Sequence, residues 1–222
     1  MTAAAADAGP LRRALFLDRD GTLTEPRHYP TRPDELVLQP GIAPPLRALR
    51  EAGFALVVVT NQSGLARGLF QQADLNLMHQ ELRRLLADHG VQLDGVYVCP
   101  HHPDGTMPPF GVICKCRKPA PGMLRQAAQD LDLDLSESWT IGDSACDIGA
   151  GRRAGTQTVL VSPQPLAAVA PDVHRVTTAD ALYYVLATSG PVRSRSCVGH
   201  SMVTGRSTAT KPLDTFLIMR RP

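Results

Sequence analysis

The stretch Ala14-Leu15-Phe16-Leu17-Asp18-Arg19-Asp20-Gly21-Thr22 changes character at its centre. Four apolar residues read as a short buried strand. Two carboxylates follow, spaced so that both leave an extended strand end on the same side, with Arg19 pointing to the other. Gly21 then permits a sharp turn. An apolar strand that delivers a pair of acids into a glycine turn is a way of building a site. A solvated acidic loop has no need of the strand.

Working outward, further short apolar runs rich in β-branched residues occupy 54–60, 95–99, 139–143 and 156–161. Helical periodicity fills the intervals at 42–52, 73–89, 122–131 and 147–154. Gly53 and Gly90 stand where a left-handed residue ends a helix. This alternation predicts an α/β fold, a doubly wound parallel sheet covered on both faces. In such sheets ligands gather at the carboxyl ends of strands. Asp18, Thr60 and Asp143 all fall at strand ends, so one fold argument brings them together. Residues 14–188 are expected to form the domain, with a flexible segment at 1–13 and a last helix or strand at 179–187. The Ser/Thr/Arg/Gly-rich stretch 189–222 lacks periodicity and reads as a disordered tail, with 216–219 its one short apolar run.

The chain is long enough for one such domain. Its formal charge of +2 is uneven. After residue 188, six basic residues against Asp214 give +5, leaving −3 for the first 188 residues. A basic footprint for nucleic acid is therefore absent from the expected domain. No apolar run reaches the ~18 residues of a membrane span, and the first ten residues lack the pattern of a secretory signal. A cytoplasmic monomer acting on a small molecule is expected. Cys99, Cys114 and Cys116 lie close together, whereas Cys146 and Cys197 stand apart. Clustered cysteines beside histidines, without an export signal, point to a metal rather than disulfides.

Cys99-Pro100-His101-His102 and Cys114-Lys115-Cys116 give C-x-H-x12-C-x-C, three thiolates and an imidazole. That set closes a tetrahedral structural zinc site and leaves no open position. Spacing alone does not choose between His101 and His102; His101 is taken as the ligand. The loop at 99–116 runs directly into Arg117 and Lys118.

The remaining motifs suit phosphate. One carboxylate of the Asp18/Asp20 pair can attack phosphorus while the other moves a proton. Thr60-Asn61-Gln62-Ser63-Gly64 offers a hydroxyl and main-chain N–H groups, and Lys118 a point charge, for phosphoryl oxygens. Asp143, the Asp18 carboxylate and the Asp20 main-chain carbonyl are the expected ligands for Mg²⁺, which prefers oxygen. Asp147, four residues on at a helix start, serves equally well as helix cap or site residue.

Taken in order, Asp18–Thr22, Thr60, Lys118 and Gly142–Asp147 resemble the four motifs of the haloacid dehalogenase (HAD) superfamily. The resemblance implies that Asp18 is the nucleophile and Asp20 the acid/base. It implies that Thr60 and Lys118 hold the phosphoryl group, and that Asp143 binds magnesium. The zinc loop and the segments FLDRDGT, ALVVVTNQSGLARG, CPHHP and CRKPAPGML resemble the heptose bisphosphate phosphatase branch, which removes the 7-phosphate of a 1,7-bisphosphate. By that resemblance Asn61, Gln62, Ser63 and Arg117 contact substrate, as do Arg27, His28 and Tyr29. Arg117 would hold the phosphate that is not cleaved. The short intervals after Asp20 and Thr60 leave no room for a large cap domain. The rival readings are a histidinol-phosphate phosphatase and a zinc-stabilised binding module without catalysis.

Overall fold

The computed structural model describes residues 11–167, 169–190 and 217–218. Seven parallel strands form one sheet in the order β6-β5-β4-β1-β2-β3-β7. They are β1 Arg12–Leu17, β2 Ala55–Asn61, β3 Gly95–Cys99, β4 Leu133–Gly142, β5 Gln157–Val161, β6 Val173–Arg175 and β7 Leu217–Ile218. Five α-helices cross between them: α1 Ala43–Glu51, α2 Gln72–Ala87, α3 Gly122–Asp130, α4 Ala145–Ala154 and α5 Thr178–Thr188. The doubly wound sheet read from the sequence is present, and no large cap domain lies over it among the described residues.

The alternation of β1 shows how both faces are covered. Leu15 and Leu17 pack with Leu56, Val58, Leu46, Leu75 and Leu182 on one side. Ala14 and Phe16 pack with Val57, Met123, Leu124 and Ala127 on the other. Strands buried on both faces need apolar residues at every position, which is why β2 reads as an unbroken run.

Two strand starts differ from the sequence expectation by more than one residue. The sheet begins at Arg12, and β4 begins at Leu133 rather than 139. The early part of β4 is acidic and half exposed, so no apolar run marks it. The register between β1 and β4 shifts between Arg13 and Leu15. The Ser138 hydroxyl fills the gap by accepting from the Ala14 N–H at 2.8 Å. The three-residue β6 carries no sequence signal of its own. The segment 179–187 is helical, with Thr177 capping α5 through the Asp180 N–H. Of the expected tail, 191–216 and 219–222 lie outside the described residues; 217–218 pair with Tyr97–Val98 at the sheet edge. Residues 1–10 likewise lie outside them.

The strand order decides the rest. With β1 between β4 and β2, the residues at their carboxyl ends are neighbours: Asp143, Asp18 and Thr60.

Candidate active site

Asp18 leaves β1 with its N–H donating to the Ile141 carbonyl at 3.0 Å, which fixes the strand end against β4. Its carboxylate Oδ1 accepts from Lys118 Nζ at 2.7 Å. The same ammonium donates to the Val59 carbonyl at 2.7 Å and lies 2.5 Å from Asp147 Oδ1. Lys118 is buried, and so is Asp147. A buried lysine is stable only when paired and hydrogen-bonded. Burial alone would lower the Lys118 pKa, but the Asp147 and Asp18 carboxylates more than offset it and raise it.

Asp147 caps α4 and at the same time faces the lysine. Its Oδ2 accepts from the Ser144 N–H and hydroxyl, capping α4, while Oδ1 faces Lys118. One carboxylate can span both because α4 starts at the end of β4.

Asn61, expected to contact substrate, pairs its side-chain amide with the Lys118 main chain. It donates to the Lys118 carbonyl at 3.1 Å and accepts the Lys118 N–H at 3.0 Å. It therefore pins the loop carrying the lysine to the end of β2. Gln62 donates to Asp20 Oδ2 at 3.0 Å and to the Thr60 hydroxyl at 2.8 Å, joining β2 to the Asp18–Asp20 turn. The Tyr29 and Ser63 hydroxyls lie 3.4 Å apart. Arg27 and His28 line an open cleft of about 290 Å³ together with Asp20, Pro26 and Asp143. Arg19 does point away from the cleft, but its guanidinium turns back to grip the Asp20 carboxylate from behind.

Asp18, Asp143 and Asp147 each offer an oxygen within 4.8 Å of the others. Burial, helped by Asp147 and Asp20, pushes Asp18 up to about 7 against the pull of Lys118. Burial, then Asp147, pushes Asp143 up to about 6. This excess of buried acid fits an oxygen-ligated divalent cation. Gly21 makes the approach possible. Its φ is +82°, and a Cβ there would lie 2.1 Å from Asp143 Oδ2. Gly21→Ala should therefore cost about 1–2 kcal/mol for the left-handed backbone alone and also displace Asp143. Thermal midpoint and turnover should fall together; unchanged turnover would show that the position of Asp143 does not matter.

The second cluster lies 99–116 along the chain. Cys116 Sγ is 3.3 Å from Cys99 Sγ, 3.2 Å from Cys114 Sγ and 3.3 Å from His101 Nδ1. Cys99 Sγ is 3.6 Å from Cys114 Sγ and 3.8 Å from His101 Nδ1. Tetrahedral zinc with bonds of ~2.3 Å would separate its sulfurs by about 3.8 Å, so the four donors fit with a slight expansion. His101 completes the group. His102 turns outward, its Nδ1 accepting from the Asp104 N–H and its Nε2 lying 3.2 Å from Arg67. The hydrogen bond to Cys116, then burial, push the Cys99 thiol far up, while that bond pulls Cys116 down to about 5. Thiols so crowded suit a doubly charged ion at their centre. Arg117 is tied to the cluster, its N–H donating to Cys114 Sγ and its Nη1 to the His101 carbonyl at 3.2 Å.

A strand-end aspartate bonded to a buried lysine, beside further carboxylates in a doubly wound sheet, is the arrangement of HAD-type phosphatases. A family model described as "HAD-hyrolase-like" matches residues 115–164. The chain is 44% identical over 157 residues to the D-glycero-beta-D-manno-heptose-1,7-bisphosphate 7-phosphatase of Yersinia pestis, covering 70% of this chain and 84% of that one. It is 43% identical to the enzyme of the same name from Escherichia coli K12, over 69% of this chain and 81% of that one. The solved D,D-heptose 1,7-bisphosphate phosphatase of B. bronchiseptica, complexed with magnesium and phosphate, superposes with a TM-score of 0.69. It is 35% identical and spans 79% of this chain and 98% of its own.

The chain belongs to the D-glycero-β-D-manno-heptose-1,7-bisphosphate 7-phosphatase family within the HAD-type hydrolases. It is a phosphoric monoester hydrolase. No helix among the described residues is long and apolar enough to cross a membrane.

Proposed function

We propose that the protein removes the 7-phosphate of D-glycero-D-manno-heptose 1,7-bisphosphate through an aspartyl-phosphate on Asp18. The observation that carries the reading is the Asp18 carboxylate at the end of β1, 2.7 Å from buried Lys118 Nζ and with an oxygen within 4.8 Å of one on Asp143. Asp18 attacks phosphorus as the bond to the sugar oxygen breaks, and Asp20 gives that oxygen a proton. Asp20 then takes a proton from the water that attacks the phosphoenzyme, releasing phosphate and restoring Asp18. Lys118 and the Thr60 hydroxyl hold the phosphoryl oxygens through both steps. Asp18, Asp143 and the Asp20 main-chain carbonyl would hold Mg²⁺, whose chemistry when bound is to neutralise charge on those oxygens. Cys99, His101, Cys114 and Cys116 would hold a structural Zn²⁺.

Arg27, His28, Tyr29, Gln62, Ser63 and Arg117 form the reading's substrate surface, with Asn61 contributing through the Lys118 main chain. With no large cap among the described residues, loops must supply specificity, and the names of the relatives favour a heptose bisphosphate over histidinol phosphate. A cytoplasmic monomer is the assembly this reading assumes. The covalent step is tested by acid-quenching Asp20→Asn during turnover of p-nitrophenyl phosphate, whose leaving group needs no proton. A phosphoryl group on the peptide containing Asp18 is expected. Fast phosphate release with no labelled peptide would instead point to direct attack by water.

Metal and pH are linked with a definite sign. Asp18 and Asp143 ionise at higher pH in the folded chain, up to about 7 and about 6, than the ordinary 3.8. The metal-free fold therefore binds more protons than the unfolded chain, and its stability falls as pH rises from about 4 towards about 7. Bound Mg²⁺ offsets that loss. Added Mg²⁺ should raise the thermal midpoint more at about pH 7.5 than at about pH 5. Equal shifts at both would show that these carboxylates do not carry the metal.

A further inference from the structure

Between Asp18 and Asp20 the chain carries a fully buried arginine. Arg19 is 0% exposed and heads the large side chains with no access to solvent. Its Nε donates to Asp20 Oδ1 at 2.9 Å and its Nη2 to Oδ2 at 2.8 Å. Its Nη1 lies 3.3 Å from His79 Nε2, on the inward face of α2, and His79 is also 0% exposed. A guanidinium has donors only, so His79 Nε2 is the acceptor and the ring is neutral with its proton on Nδ1. Burial and the Arg19 and Arg83 charges hold His79 well below the usual imidazole range.

Stability is a poor reason for this arrangement, since a buried ion pair often holds a fold no better than packed apolar side chains. Geometry is a better one. Two parallel N–H···O bonds fix the plane of a carboxylate as well as its position. The Asp20 side chain stays 25% exposed, with its outer edge on the cleft. Oδ2 accepts from both Arg19 and Gln62. Oδ1 accepts from Arg19 Nε, which leaves it a lone pair for a proton.

We propose that Arg19 and His79 are positioning residues for Asp20: His79 holds Arg19, and Arg19 presents Asp20 Oδ1 to the leaving oxygen. In the first step the Oδ1–H bond breaks as the sugar hydroxyl forms. The carboxylate left behind takes a proton from water in the second. This rests on the reading of Asp20 as the acid/base, so Asp20→Asn serves as the reference.

The experiment compares first-turnover release of the leaving group from heptose 1,7-bisphosphate and from p-nitrophenyl phosphate. The sugar alkoxide needs a proton to leave; p-nitrophenolate does not. His79→Leu should slow sugar release about ten-fold or more, within the range of general acid catalysis, and leave p-nitrophenolate release nearly unchanged. His79→Gln, which keeps an acceptor for Nη1, should recover most of the loss. Arg19→Lys, a point charge without the fork, should show the same selective loss as His79→Leu and serves if the latter does not fold.

Equal losses on both substrates, or none, in variants that melt as folded proteins would overturn the positioning role while Asp20→Asn still discriminates. If Asp20→Asn itself fails to discriminate, the acid/base reading falls and the positioning role with it.

Discussion

Asp18→Asn should abolish phosphate release, by about 10⁴-fold or more, the scale on which an enzyme loses its nucleophile, while the protein stays folded. Both halves follow from the same geometry. The amide is a far poorer nucleophile than the carboxylate that it replaces. The substitution also removes a buried negative charge that burial already disfavours. Lys118 keeps its other carboxylate, Asp147 Oδ1 at 2.5 Å, and its bond to the Val59 carbonyl. The thermal midpoint of the metal-free protein should therefore hold or rise at neutral pH. Loss of activity with loss of folding would reduce Asp18 to a structural role. Retained activity would place the nucleophile elsewhere.

Cys116→Ser is the second large effect, and it moves stability first. Cys116 Sγ has all three other donors of its cluster within 3.3 Å, so it stands at the centre of the loop. Serine cannot replace a thiolate, and a site short of one ligand holds zinc poorly. Metal binding in such a loop is folding energy. If ~3–5 kcal/mol is lost, the thermal midpoint of a chain of this size should fall by about 6–20 °C. Turnover should fall as well, since Arg117 donates to Cys114 Sγ and Lys118 follows it directly. Elemental analysis should show one zinc per wild-type chain and little in the variant. Full stability in zinc-free protein would remove the cluster from the account of the fold.

How much of this was legible in the sequence differs from element to element. The five apolar strands were readable because a sheet covered on both faces leaves few polar positions in them, such as Thr140 and Thr158. Asp18, Thr60 and Asp143 were readable because strand ends are where such a sheet places its ligands. The first half of β4 was hidden because its residues are acidic and half exposed, and its pairing depends on Ser138 filling a register shift. The dual role of Asp147 was half visible: spacing gave the helix cap, but the partner at Oδ1 comes from Lys118, twenty-nine residues away. Asn61 sits in a motif that suggests substrate, yet its amide is used by the main chain of a distant loop, and no local pattern reports that. Strand alternation predicts that Arg19 faces away from the cleft, but not what its guanidinium meets there. A signal was available: His79 interrupts the buried face of α2 formed by Leu75, Met78, Leu82 and Leu86. A buried polar ring on such a face needs a partner.

The central claim, phosphate monoester hydrolysis at Asp18 on a heptose bisphosphate, is tested most directly by one assay. Magnesium-loaded protein is given heptose 1,7-bisphosphate and histidinol phosphate side by side, with Asp18→Asn as control. The expected result is rapid loss of one phosphate from the bisphosphate, little release from histidinol phosphate, and none in the control. Preference for histidinol phosphate, or release that survives in the control, would contradict it.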